Sequence, residues 1–147
     1  MKKTFSITVL LTVFVTGCNT DVVTSRYLTA IGHKCVYIKT IESKDPYISR
    51  VLRDVFEKEF IRKQVMLCDA ETANVILTGS TILKTRYTEN KNWFGGRESS
   101  QAIESVTITA KDKLGNILLS ASYNNVNQLS PNKLAKDFGS TLANKLR

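Results

Sequence analysis

The side chains that most often carry out catalysis are sparse in this sequence. Its 147 residues include a single histidine, His33, with no serine or cysteine and acidic partner at the local spacing of a nucleophilic triad. Gly95 and Gly96 indicate a turn rather than a phosphate-binding loop. The carboxylates are scattered, and helical spacing places Glu57 and Glu59 on a solvated face. We therefore expect a protein that is not an enzyme and uses no cofactor.

Cysteine is the other reactive side chain, and two cysteines belong to the predicted domain. Cys35 begins a strand-like segment and Cys68 ends another, without the CxxC spacing or nearby histidine of a metal site. If these strands are parallel neighbours, the thiols lie toward opposite strand ends, whereas a disulfide needs Cα atoms within about 7 Å. The sequence fits both a disulfide and two small buried apolar side chains.

Cys18 ends a segment with the features of an export signal. Lys2 and Lys3 precede an uncharged apolar run over 5–15, which is shorter than the roughly 20 residues that cross a bilayer. The segment 15–18 resembles the lipobox of bacterial lipoproteins. That resemblance implies cleavage before Cys18 and acylation of its thiol and its new amine. The alternative is an ordinary signal peptide that happens to contain a cysteine.

The lipoprotein resemblance also implies a location. Asn19 occupies the position where an aspartate retains Gram-negative lipoproteins in the inner membrane, so we expect the outer membrane, with the domain facing the periplasm. Acyl chains gain about 0.8 kcal/mol per buried methylene and can hold the protein on the bilayer lipid. We divide the chain into a signal peptide (1–17), a lipidated flexible tether (18–34) and one domain (35–147).

The charge of the chain narrows its possible partners. The net charge of +8 falls to +6 once Lys2 and Lys3 are removed with the signal. An exported basic domain meets little nucleic acid, so an anionic lipid, lipopolysaccharide phosphates or an acidic protein is the expected target. The alternative is that the charge only keeps the domain soluble.

Hydrophobic periodicity predicts seven elements in the order β-α-β-β-β-β-α. One helix begins at Asp45 and Pro46 and ends near Arg62, and the other begins at Ser130 and Pro131. The predicted strands cover 35–41, 64–68, 74–87, 102–111 and 117–123. Both apolar helix stripes can be buried only on one face of the sheet. The fold expected is an α+β two-layer sandwich with a mainly antiparallel sheet, whose open face carries Thr, Ser, Lys and Tyr.

A polar loop predicted over 88–100 holds the best candidate binding residues. An exposed Trp-Phe pair with basic neighbours suits a protein interface or an amphiphile with phosphates. The alternative is that the tryptophan folds back onto the core. The candidate residues are Lys84, Arg86, Lys91, Trp93, Phe94 and Arg97.

Several segments together resemble the lipopolysaccharide-assembly lipoproteins. These segments are the lipobox, the strand over 36–39, the helix over 52–60, the strand over 72–79, the hairpin over 106–119 and the final helix from 134. The curli-export pore subunit and the penicillin-binding-protein activators share much of this pattern. The chain departs from the first family in a shorter stretch before the last helix, and in having Asn74 where an aspartate is usual.

Two functions follow as hypotheses. The resemblance implies an assembly factor that acts with an outer-membrane β-barrel protein in lipopolysaccharide delivery, with the basic candidate residues meeting lipid A phosphates. The alternative is a self-assembling structural or secretion-system lipoprotein, whose strands and loop join identical subunits.

Overall fold

The protein folds into one six-stranded sheet with two long helices against one face. A computed structural model describes residues 20–89 and 97–147. The elements are β1 (Thr20–Thr24), α1 (Arg26–Ala30), β2 (Cys35–Glu42), α2 (Pro46–Arg62), β3 (Met66–Leu67), β4 (Val75–Glu89), β5 (Arg97–Lys111), β6 (Ile117–Asn124) and α3 (Pro131–Leu146). The strand order is β1-β6-β5-β4-β2-β3. β2 runs parallel to β3 and β4 and the other pairs are antiparallel, which confirms the predicted sandwich.

Both long helices begin where their capping residues predict. The carboxylate of Asp45 accepts a hydrogen bond of 2.9 Å from the backbone N–H of Tyr47, and a proline occupies the first helical turn. The hydroxyl of Ser130 accepts one of 3.4 Å from the N–H of Lys133, again before a proline. Such caps satisfy backbone donors that a helix leaves unpaired.

The core lies between the helices and the sheet. Phe56 of α2 meets Phe138 of α3 edge to face, with ring centroids 5.9 Å apart. Phe138 also contacts Tyr123 of β6, with centroids 5.6 Å apart. The helices approach closely at Gly139, where an added Cβ would lie 2.9 Å from a ring carbon of Phe56. One aromatic side chain thus joins α2, α3 and the sheet.

The prediction of a flexible tether over 18–34 is wrong from Thr20 onward. β1 forms the edge of the sheet, pairing from Thr20 with Tyr123 to Thr24 with Leu119. The predicted tether also contains the helix α1, which buries Leu28. Five residues of β1 are too few to show a periodic pattern, and their partner strand lies about 100 residues away in the chain. The sheet therefore includes residues 20–24, ahead of the predicted domain boundary at residue 35.

Glu59 also differs from expectation. Its side chain is only 6% exposed, and it accepts a hydrogen bond of 2.9 Å from the Nε of Arg62 one turn later. The close approach of α3 at Gly139 covers this part of α2, since the added Cβ there would lie 3.4 Å from the Cβ of Glu59. Glu57 forms an exposed ion pair with Arg53 at 2.9 Å.

The far end of the sheet closes with the predicted turn between β5 and β6. The carboxylate of Asp112 accepts hydrogen bonds from the backbone N–H groups of Leu114, at 2.9 Å, and Asn116, at 2.8 Å. The side-chain amide of Asn116 donates a further bond and holds the pKa of Asp112 below its usual range. Gly115 takes the left-handed conformation, with a φ of 88°. Leu114 is consequently presented to solvent.

The second face of the sheet is open. Thr107, Ser120 and Ser80 are exposed there on three neighbouring strands, as the alternation of the sequence predicts. In the two described ranges, no helix has the length and apolar character needed to span a bilayer.

A test of this packing is the variant Gly79→Ala. An added Cβ would lie 2.9 Å from the carbonyl oxygen of Thr107 and would overlap the side chain of Ile108. We expect the free energy of unfolding, measured by urea denaturation, to fall by about 1–3 kcal/mol. Gly32→Ala is the control, because nothing lies within 4 Å of its added Cβ. Equal denaturation midpoints for the two variants would contradict the packing described.

Candidate functional site: a hairpin arm and its groove

The β4–β5 hairpin extends well beyond the rest of the sheet. β4 pairs with β2 only as far as Ser80, and β5 pairs with β6 only from Ser105 inward. Beyond these points the described strands pair with each other, and Asn125 donates two further hydrogen bonds to the carbonyl oxygens of Glu104 and Ile103 on β5. We call residues 82–89 and 97–105 the hairpin arm. At about 3.4 Å per residue, the arm is about 25 Å long.

The arm shortens the polar loop that the sequence predicts over 88–100. Glu89 still pairs with Arg97, so both strands continue into the predicted loop. The remaining connection, 90–96, lies outside the described residues. The strands continue because their pairing with each other satisfies one backbone edge even without apolar side chains to bury.

Lys84 and Arg86 lie on one face of the arm. They stand opposite Ala102 and Ser100, while the preceding Leu83 pairs with the buried Ile103 on the core side. Lys84 is exposed and Arg86 is half-buried. The period of two along a strand therefore points both cations away from the helices.

A groove runs between the arm and the segment that leads from β6 to α3. Its volume is 850 Å³. Lys84, Arg86 and Tyr87 line it from β4, Glu104 lines it from β5, and residues 124–128 close the other side. We call this the arm groove. It brings together two of the six residues that the sequence singled out.

Asn125 fixes the wall of the arm groove. Its side-chain amide donates to the carbonyl oxygens of Ile103, at 2.9 Å, and Leu129, at 3.0 Å. Its carbonyl oxygen accepts from the backbone N–H of Leu129 at 2.7 Å. The side chain is buried, so these bonds hold the connecting segment against β5.

The other predicted site residues lie outside the described residues. This applies to Cys18, Lys91, Trp93 and Phe94 and to the side chain of Arg97. Among residues 20–89 and 97–147, no three His, Cys, Asp or Glu side chains come together in a way that could hold a metal ion.

The apolar part of the groove was not predicted from the sequence. Tyr87 is 72% exposed and Val126 is 71% exposed, and both line it. Tyr87 ends the strand predicted over 74–87. Its place at the end of a long strand could have indicated that its side chain lies beyond the core. Val126 lies in a connection without periodicity, so only the folded chain could place it beside β4.

Cys35 and Cys68 form a disulfide, with their Cα atoms 5.7 Å apart. The expectation that parallel strands would hold the thiols at opposite ends is wrong, because β3 has only two residues. Met66 pairs with Cys35 and Leu67 with Val36, so β3 meets only the start of β2. Cys68 therefore lies only two residues past the partner of Cys35, near enough for the two thiols to bond.

Asn74 secures the same corner. Its amide donates to the carbonyl oxygen of His33 at 2.6 Å, and its carbonyl oxygen accepts from the N–H of Cys35 at 2.7 Å. An ionised aspartate could accept but could not donate. Asn74, where an aspartate is usual in the lipopolysaccharide-assembly lipoproteins, thus holds the start of β2 through both hydrogen bonds.

Several solved structures have a fold similar to that of this chain. No protein-family model matches the chain, and no curated protein matches it. The PelC dodecamer from Paraburkholderia phytofirmans is similar at a TM-score of 0.58 and 13% identity, over 86% of this chain and 95% of that one. A DUF4136 family protein from Bacteroides thetaiotaomicron gives 0.55 and 10%, over 86% and 96%. A PDZ domain protein from Parabacteroides distasonis gives 0.54 and 12%, over 84% and 34%.

These likenesses show that bacterial proteins of very different sequence share this arrangement of sheet and helices. The first two span nearly the whole of both chains, so this fold accounts for most of each neighbour. Function has to be argued from the arm and its groove, since one fold can serve many functions.

The disulfide provides a test of the corner at Cys35. It joins residues 33 positions apart, and its reduction is expected to lower the free energy of unfolding by about 2–4 kcal/mol. Urea denaturation of the full chain with and without dithiothreitol measures this change. The double variant Cys35→Ala/Cys68→Ala should lose the response to reductant. A wild-type midpoint that ignores dithiothreitol would argue against the bond.

Proposed function

We propose that this chain is a non-catalytic bacterial lipoprotein, exported and anchored to the outer membrane through Cys18, that assembles with copies of itself. The observation that carries the proposal is the hairpin arm. A subunit that works by association needs a surface that its own fold leaves unsatisfied, and the arm offers one.

Both edges of the arm support association. Backbone N–H and C=O groups that face outward on an unpaired strand are a template for pairing with another chain. The arm has two such edges among the described residues, one beyond Ser80 on β4 and one on β5 from Ala102 outward, since the carbonyl oxygens of Glu104 and Ile103 already accept hydrogen bonds from Asn125. Ile82 and Tyr87 add exposed apolar surface, at 59% and 72%. A second subunit would cover both kinds of group.

The fold comparison supports the same function by analogy. PelC has this fold and was crystallised as a dodecamer. An oligomer built from head-to-tail contacts uses two different surfaces of each subunit. An arm projecting from one end of the sheet can supply one of these surfaces.

The disulfide supports export. Disulfides persist in oxidising compartments such as the bacterial periplasm and are rare in the cytosol. The Cys35–Cys68 bond closes a corner that holds β2, β3 and the segment before β4 together. This agrees with the signal-like segment that precedes Cys18.

A second candidate function is lipopolysaccharide delivery together with a β-barrel partner. The placement of Lys84 and Arg86 in one groove favours it, because two cations at one site suit phosphate groups. Under this function the arm would contact the barrel protein instead of another copy of this chain.

The double variant Ile82→Lys/Tyr87→Lys tests self-assembly. Lysines on the arm should block edge-to-edge contact without touching the core, since both side chains are exposed. We expect mass photometry of the acylated protein in mild detergent to show oligomers for the wild type and monomers for the variant. Leu114→Lys, at a side chain 88% exposed in the distant turn, should leave the oligomers intact. A monomeric wild type would sink the proposal.

Crosslinking in whole cells separates the two functions. A photoreactive amino acid is placed at Ser99, which is exposed on the arm, and in a second strain at Leu114 as control. Self-assembly predicts a product of twice the chain mass from position 99 only. Lipopolysaccharide delivery predicts a product that contains a β-barrel protein. Equal products from both positions would remove the arm from either function.

A further inference from the structure

We propose that the arm groove binds the phosphate-bearing headgroup of an anionic phospholipid in the membrane that holds Cys18. This inference rests on the proposed lipid anchor and adds a specific binding site to it. Three observations carry it, namely the entry point of the chain, the position of the groove and the charge of the groove.

The chain enters the domain at the arm end of the sheet. Thr20, the first residue of β1, stands opposite Tyr123, next to the last residue of β6. Two peptide units separate Thr20 from Cys18, so the two Cα atoms are at most about 7.6 Å apart. Since β1 is part of the sheet, only Asn19 lies in sequence between this strand and an acylated Cys18. The bilayer surface is thereby brought to this end of the sheet.

The arm groove lies at the same end. Asn124, which lines the groove, pairs with Ser105, and Ser105 pairs with Ile82 at the base of the arm. Lys84 follows two residues farther out. With strands about 4.8 Å apart, β4 lies about 14 Å from β1 across the sheet. The groove thus opens within about 20 Å of Cys18, and the turn at Leu114 lies at the opposite end.

The charge of the groove distinguishes it from two other surface grooves in the described part of the chain. One of these lies along α2 and is lined by Glu42, Asp54 and Glu57 against Arg50 and Arg53. The other is lined by Glu57 and Asp69 against Arg53. Both have an excess of carboxylates. In the arm groove, Lys84 and Arg86 outnumber the single carboxylate of Glu104.

The remaining lining suits a lipid headgroup at a bilayer surface. Asn124 and Gln128 add amide donors for phosphate or glycerol oxygens. Val126 adds exposed apolar surface to the same lining. Cations, amides and apolar groups therefore line one groove close to the anchor.

The test uses the full acylated chain in vesicles. Gln101, exposed on the arm and outside the lining of the groove, is replaced by cysteine and labelled with a fluorophore, while Cys35 and Cys68 stay bridged. Energy transfer to headgroup-labelled lipid is measured in phosphatidylcholine vesicles with and without phosphatidylglycerol. We expect phosphatidylglycerol to raise the transfer at least about twofold. A label at Leu114, about 35 Å farther along the sheet, should show little change.

The variant Lys84→Gln/Arg86→Gln should abolish the response to phosphatidylglycerol. Its control, Lys58→Gln/Lys133→Gln, removes the same charge from exposed helix positions and should keep the response. Loss in both variants, or no response in the wild type, would overturn the headgroup site while leaving the anchor in place. A response to lipid A but not to phosphatidylglycerol would overturn the phospholipid assignment. Failure to associate with any vesicle would overturn the proposed anchor itself.

Discussion

The antiparallel pairing of β4 with β5 is the constraint on which the rest of the structure depends. The described pairs extend from Ile76 opposite Lys111 to Glu89 opposite Arg97. The register shifts once, between Ile82 and Leu83. The inner half of this ladder supports the core, since β2 and β6 pair with its two outer edges. The outer half continues as the arm. One hairpin thus provides the centre of the fold and the candidate functional surface.

The helices determine where the core ends and the arm begins. Phe56 and Phe138 pack against each other over the inner sheet, where Val106, Ile108 and Ala110 are buried. Leu83 and Ile103 are the outermost apolar pair on that side. Beyond them no described helix covers the strands, so burial no longer restricts the side chains. The polar and charged composition of the arm follows from this loss of cover, and it leaves the backbone edges open to a partner.

Local sequence signals predicted most helices and strands. The prediction failed where an element depends on pairing with a distant part of the chain. Asp45 and Ser130 marked both helix starts, because a capping side chain and a following proline act within one turn. β1 was missed because only β6, far along the chain, makes a strand of it. Lys84 and Arg86 were singled out from the sequence as basic neighbours of the Trp-Phe pair, and the structure places both in the arm groove. Val126 was missed because its position in the groove depends on the bonds of the buried Asn125.

The edge position of β1 has a mechanical consequence. A pull on the chain ahead of Thr20 acts along β1, whose bonds to β6 run perpendicular to the strands. Such a load shears all the β1–β6 bonds together rather than opening them one at a time. The buried Leu28 and the bond from the N–H of Ser25 to the carbonyl oxygen of Leu118 then hold the next segment. β1 therefore transmits a force on the N-terminal segment to the folded domain through all of its hydrogen bonds to β6 at once.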